Sequence, residues 1–167
     1  MRRDLKALAL FLRRWLPVAL WGGFVLYAST SVGSGNNTAR FLKPILEWFH
    51  PDLFGVSFTD INYFTRKTAH VVQFIIYASL LWRGLSLPPP LQVGVRTMVA
   101  WVLGSAAFLG LLSEGIQLFS PLRKAMLTDV LLDITGAVVG VGVILAARQL
   151  AKMPVWKAWA SRATAAE

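Results

Sequence analysis

The residues able to do chemistry in this chain are few: Lys67, His70 and Tyr77, then Glu114 and Gln117, Arg123, and Asp129 and Asp133. Lys67, His70, Phe74 and Tyr77 step by three and four, so a helix puts them on one face. Glu114 and Gln117 are one turn apart, and Asp129 and Asp133 are four residues apart on a second such face. Three kinds of chemistry are open to this set. Lys67 and Arg123 can pair with the carboxylates, Arg bidentately, and so staple a turn with no ligand at all. The same groups can line a mixed-sign pocket for a zwitterionic or anionic polar group. Glu114 with Asp129 or Asp133 can serve as acid and base where their environments differ, with His70 shuttling protons. A staple needs two or three residues, whereas this set also recruits His70, Tyr77 and Gln117, so a ligand pocket is the reading adopted. There is no nucleophile elbow or phosphate loop, and the spacing matches no standard zinc motif. The 167 residues include no Cys, which removes thiol nucleophiles, disulfides and Cys-zinc sites. No metal or other cofactor is expected.

The elements that position these groups are apolar. Four stretches stand out, at about 16–31, 69–87, 97–119 and 127–147. About 20 residues cross a hydrocarbon core, and lipid admits only helices or closed barrels. None of the stretches alternates as a barrel strand would. The expected fold is therefore an all-α membrane protein with four transmembrane helices in a compact bundle. Residues 1–15 read as a basic cytoplasmic interfacial helix, 16–147 as the transmembrane domain, and 148–167 as a cytoplasmic tail. The outer loop, 32–67, opens on a turn at Gly33, Gly35, Asn36 and Asn37. It continues with Leu42, Ile45, Leu46, Phe49 and Leu53 at helical spacing, an amphipathic segment expected to lie on the interface.

A net charge of +9 would fit a nucleic-acid binder in a soluble chain, but 56 % of the residues are hydrophobic and 15 % charged, against about 25 % charged in a soluble domain. No nucleic-acid partner is expected. With four spans, eleven of the 17 Lys and Arg fall on the side of both termini and six on the other. The positive-inside rule then places both termini in the cytoplasm. Ionisable groups in a span cost at least about 2.5–3.5 kcal/mol each, and all of those named above fall near the outer end of their spans. Gly136-xxx-Gly140 continues the stripe of Asp129 and Asp133, and small-xxx-small spacing lets helix backbones approach. Ala100, Ala107 and Gly110 are placed on the stripe that ends at Glu114. The carboxylates are thus expected on packed faces, and the glycine stripes permit a homo-oligomer.

The motifs resemble those of the VanZ-like family of small bacterial membrane proteins. They are Arg66-Lys67-xx-His70 with Tyr77, then Ser113-Glu114-xx-Gln117-x-Phe119-x-Pro121-x-Arg123, then Asp129-xxx-Asp133-xx-Gly136-xxx-Gly140. The resemblance covers about 27–142. Gln73 and Phe74 stand where many relatives have Glu and an aromatic, and Ser113 where an acid often precedes the Glu. The resemblance implies a multi-pass protein of the bacterial inner membrane and cell envelope. The family's namesake is linked to low-level resistance to teicoplanin, a glycopeptide. The first reading is a non-catalytic binding or accessory protein. Its charged pocket would take a membrane lipid headgroup, a lipid-linked cell-wall precursor or a glycopeptide at the outer leaflet. The alternatives are a membrane-embedded enzyme acting on a lipid headgroup through Glu114, Asp129 and Asp133, or a transporter.

Overall fold

The computed structural model describes residues 2–49, 57–86, 93–121 and 125–152. The elements in order are α1 (Arg2–Ala28), a single 3-10 turn (Ser31–Gly33), α2 (Gly35–Phe49), α3 (Phe58–Leu85), α4 (Val95–Leu118) and α5 (Leu127–Leu150). No strand occurs among the described residues. The basic N-terminal segment and the first apolar stretch form one continuous helix. Pro17 lies inside it and has no N–H to offer the carbonyl four residues earlier. That carbonyl belongs to Arg13, and the Arg83 guanidinium donates to it at 3.2 Å, so the break in the α1 ladder is filled from α3. The turn expected at Gly33–Asn37 is shorter, because α2 already begins at Gly35. In α2 Leu42 is half-buried, while Ile45 and Trp48 are exposed. Leu53, Phe54, His50, Arg123, Lys124, the Pro88–Pro90 turn and the tail from 153 lie outside the described residues.

Among the described residues, three helices are long and apolar enough to cross a membrane: Asp4–Ala28, Val95–Leu118 and Leu127–Leu150. The expected four spans are therefore corrected to three candidates. The helix that falls out is α3, although it has 28 residues. Lys67, His70, Gln73 and Arg83 lower its apolarity. It tolerates Lys67, His70 and Gln73 because it packs against α1, α4 and α5, which bury or half-bury them, while Arg83 stays exposed in its last turn. Its start is fixed by a reciprocal cap: the Ser57 hydroxyl accepts from the Asp60 N–H at 3.2 Å and donates to the Asp60 carboxylate at 2.6 Å. The start at Phe58 is about three turns earlier than the apolar run implies.

Contacts along the helices give their directions. Ser29 meets Ser113, so α1 and α4 run the same way. Lys67 meets Asp129 and Arg148 stacks over Trp82, so α3 and α5 run together. Arg13 meets Arg83, and α1 and α3 are antiparallel. The start of α1 and the finish of α5 thus share one end. The closest seam joins α3 to α5. A Cβ added at Gly136 would stand 2.3 Å from the Val71 carbonyl oxygen, and one at Gly140 3.0 Å from that of Ile75. The core between helices holds Val25, Phe74, Ala78, Val102, Ala106 and Ala137, all nearly or fully buried. Large apolar side chains such as Leu20, Phe24, Phe108, Leu131 and Val143 point outward instead, as expected where lipid is the solvent. The buried stripe of α4 runs through Met98, Val102, Ala106, Gly110, Ser113 and Glu114. Ala100 is exposed and Ala107 half-buried, so the expected stripe was rotated in its inner half. Side-chain smallness marked that half less well than contact with α5 does.

Candidate functional site

At the end of the helices opposite the chain termini, α3, α4 and α5 bring polar side chains together. α3 contributes Lys67 and, one turn on, His70; α5 contributes Asp129 and, one turn on, Asp133. Because these helices run parallel, the two i, i+3/i+4 pairs meet rung to rung. Lys67 Nζ pairs with Asp129 Oδ1 and lies over the Tyr63 ring at 5.3 Å. His70 Nδ1 is 2.9 Å from Asp133 Oδ1, and its Nε2 is 3.8 Å from Asp129 Oδ2. Asp129 stands in the first turn of α5, where the helix dipole favours a carboxylate.

Glu114 joins from α4. Its Oε1 accepts from Gln117 Nε2 at 2.6 Å, one turn away, and its Oε2 accepts from the Met126 N–H at 2.7 Å. Met126 is the residue before α5, and no side chain of its own caps that helix. Glu114 therefore satisfies a donor at the α5 N-terminus from across the turn. Glu114, Asp129 and Asp133 are 5 %, 3 % and 0 % exposed, and burial of this kind calls for partners; each carboxylate has at least one, while Asp133 Oδ2 and Gln117 Oε1 have none. Gly110 makes room for it: a Cβ there would stand 3.0 Å from Asp133 Oδ2.

Of the expected pocket residues, Lys67, His70, Glu114, Gln117, Asp129 and Asp133 come together. Tyr77 does not. It lies two turns further along α3, its ring against Phe74 at 6.0 Å between centroids and against Gly22, where it fills the core. Arg123 lies outside the described residues.

A cleft of ≈ 140 Å³ opens beside the cluster. One wall is α3, with Thr65, Arg66, Ala69, His70 and Gln73; the other is the end of α1 with Ser29, the 3-10 turn at Gly33, and Thr38 of α2. His70 belongs both to this wall and to the buried cluster, and so connects them. The segment read as an outer loop thus supplies part of the cleft. Of the residues lining this cleft only His70 was on the list drawn from spacing; Arg66, Ser29, Thr38 and Thr65 are among those that escaped it. Arg66 adjoins Lys67 in the Arg66-Lys67-xx-His70 motif, and that adjacency was the available signal. Ser29 and Thr38 carried none, since only the fold sets α1 and α2 beside α3. Ser29 donates to the Val25 carbonyl at 2.8 Å, so the Ser113 hydroxyl donates to Ser29 across their 2.6 Å contact. Ser113 ties α4 to α1 and does not enter the cluster.

A family model described as VanZ/LLP1 matches residues 14–148. No curated protein and no solved structure matches the chain.

Proposed function

The chain belongs to the VanZ/LLP1 family, and from that premise we propose that it is an integral membrane protein of the bacterial cell envelope that binds a phosphate-bearing lipid headgroup without transforming it. The observation that carries this reading is the cleft walled by Arg66 and His70 next to a buried carboxylate cluster. Arg66 supplies positive charge and guanidinium donors and Thr65 a hydroxyl, while Ser29, Thr38 and His70, already engaged with the Val25 and Ser34 carbonyls and with Asp133, make the rest of the wall polar. This donor set suits phosphate oxygens. A volume of ≈ 140 Å³ fits a headgroup rather than an entire glycopeptide. Helix α2 lines the cleft through Thr38 and exposes Ile45 and Trp48 further along; it lies on the interface and guides the lipid there.

The orientation follows from charge. Arg13, Arg14 and Arg83 line a groove with Leu10 and Ser86 at the opposite end, and Arg148 stands beside Trp82 there. This basic end faces the cytoplasm and anionic lipid. The start of α1 and the finish of α5 lie on that side, and the cleft faces the outer leaflet of the inner membrane.

Native mass spectrometry of the protein in mild detergent tests the binding reading. Wild type retains a phospholipid or a lipid-linked pyrophosphate precursor, and Arg66→Ala lowers that retention about tenfold, as loss of a charge-assisted contact predicts. Equal retention by wild type, Arg66→Ala and a His70→Ala variant overturns it. One observation favours the enzymatic alternative. Asp133 orients the His70 imidazole at 2.9 Å, the arrangement that prepares a histidine for general-base work. In that case the retained lipid is converted on incubation, and His70→Gln keeps binding but loses conversion.

A further inference from the structure

We infer that His70, Glu114 and Asp129 form a binding site for a divalent transition-metal ion, of the Zn²⁺ or Mn²⁺ class. One ligand atom from each lies within 4.8 Å of the others, and all three residues are buried. His70 Nε2 and Asp129 Oδ2 face each other at 3.8 Å, too far for a hydrogen bond. Two ligands each about 2.0–2.2 Å from one ion can span this separation, at an angle wider than tetrahedral. Their outer atoms are arranged to match. Asp133 Oδ1 holds His70 Nδ1 at 2.9 Å, which fixes the proton on that nitrogen and leaves the Nε2 lone pair directed at the site. This is the carboxylate–histidine support that metal ligands characteristically have. Lys67 occupies Asp129 Oδ1, leaving Oδ2 to an ion.

Two further observations point the same way. Asp133 Oδ2 and Gln117 Oε1 are buried acceptors with no hydrogen-bond partner, on side chains 0 % exposed. Each shares its carbon with the atom that holds His70 or Glu114, so both border the cluster, Asp133 Oδ2 on its Gly110 side, and such buried acceptors call for a donor that a metal-bound water would supply. Charge balance agrees. Three buried carboxylates meet one ammonium, Lys67, among the described residues. A bound cation adds positive charge where carboxylates outnumber ammonium groups, and buried charges are kept only where they are paired or bind metal. The sequence motif hid this site because its ligands come one each from three helices, not from a short spaced run.

The inference stands apart from the headgroup reading, since metal uptake is measured with no lipid ligand. Tag-free full-length protein in mild detergent is stripped with a chelator and titrated with Co²⁺, and Zn²⁺ is added as competitor. The expected result is one Co²⁺ per chain, with visible ligand-field bands that Zn²⁺ abolishes. His70→Ala or Glu114→Gln weakens binding at least tenfold, and Asp133→Asn about ten- to a hundredfold. The chain has two histidines, so His50→Ala is the control that keeps the bands. In that variant His70 is the sole imidazole, and its proton resonances shift on Co²⁺ addition. This readout leaves the site itself unaltered, so it decides the matter even where a site variant fails to fold. Folded wild type that takes up no Co²⁺, bands unchanged in His70→Ala, or unshifted His70 resonances would each overturn the inference.

Discussion

Lys67 and Asp129 meet where side-chain exposure is 18 % and 4 %. Removing one partner of such a pair leaves the other charge buried and uncompensated, at a cost of about 3–5 kcal/mol, whereas replacing both with apolar groups of similar size is often neutral. In chelated protein, Lys67→Met is therefore expected to lower stability by about 3–5 kcal/mol, and the Lys67→Met/Asp129→Leu double variant by much less. Thermal unfolding in one detergent, compared across wild type, both single variants and the double, reads this coupling directly. Additive losses would mean that the two side chains stand apart in solution. At this scale the sequence was informative. Lys67, His70, Asp129 and Asp133 were legible as one group because helical spacing puts each pair on one face. Tyr77 was misplaced by the same rule, because sharing a face says nothing of depth: it lies two turns nearer the middle of α3, against Gly22 of α1.

Among the elements, α3 and α5 set the geometry of the cluster. Their backbones approach at Gly136 and Gly140 closely enough that a side chain cannot enter. A methyl group at Gly136 would stand 2.3 Å from the Val71 carbonyl oxygen and 3.1 Å from Phe74 Cβ. Gly136→Ala should thus push α3 and α5 apart, destabilise the fold by about 1–3 kcal/mol or more, and weaken the contacts that depend on their register, His70–Asp133 first. Gly142→Ala, with nothing within 4 Å, should be close to neutral. Folded yield and melting temperature of the two variants make the comparison, and equal behaviour would show that the seam is looser than described. The Gly136-xxx-Gly140 spacing announced a close approach, but not to which helix. The apolar run at 69–87 alone also misjudged α3, whose His70 is buried and whose Lys67 is half-buried among neighbouring helices.

For the whole molecule, Arg13 and Arg14 of α1, Arg83 of α3 and Arg148 of α5 collect at one end, and the carboxylate cluster with Lys67 lies at the other. The chain has no Cys, so single-cysteine variants report topology cleanly. With the basic end in the cytoplasm, Asp4→Cys in intact spheroplasts should resist a membrane-impermeant maleimide and react after lysis. Thr38→Cys, on the cleft wall, should react in both. The reverse pattern would invert the orientation, and equal labelling of both in intact spheroplasts would remove it.

The sequence by itself determined that the chain is helical, apolar enough for a membrane, without thiol chemistry, and equipped with one clustered set of polar residues. These follow from composition and from the 3.6-residue period, which are local properties. Only the tertiary structure decided that three helices qualify as spans and that Arg66, Ser29 and Thr38 face one cleft. It also decided that Glu114 reaches across a turn to the start of α5 and that three helices each give one ligand to a common point. Those outcomes depend on which helices lie side by side and in which direction. Periodicity fixes the face of a helix but not its neighbour, and chemistry between residues up to 63 positions apart exists only once packing has chosen that neighbour.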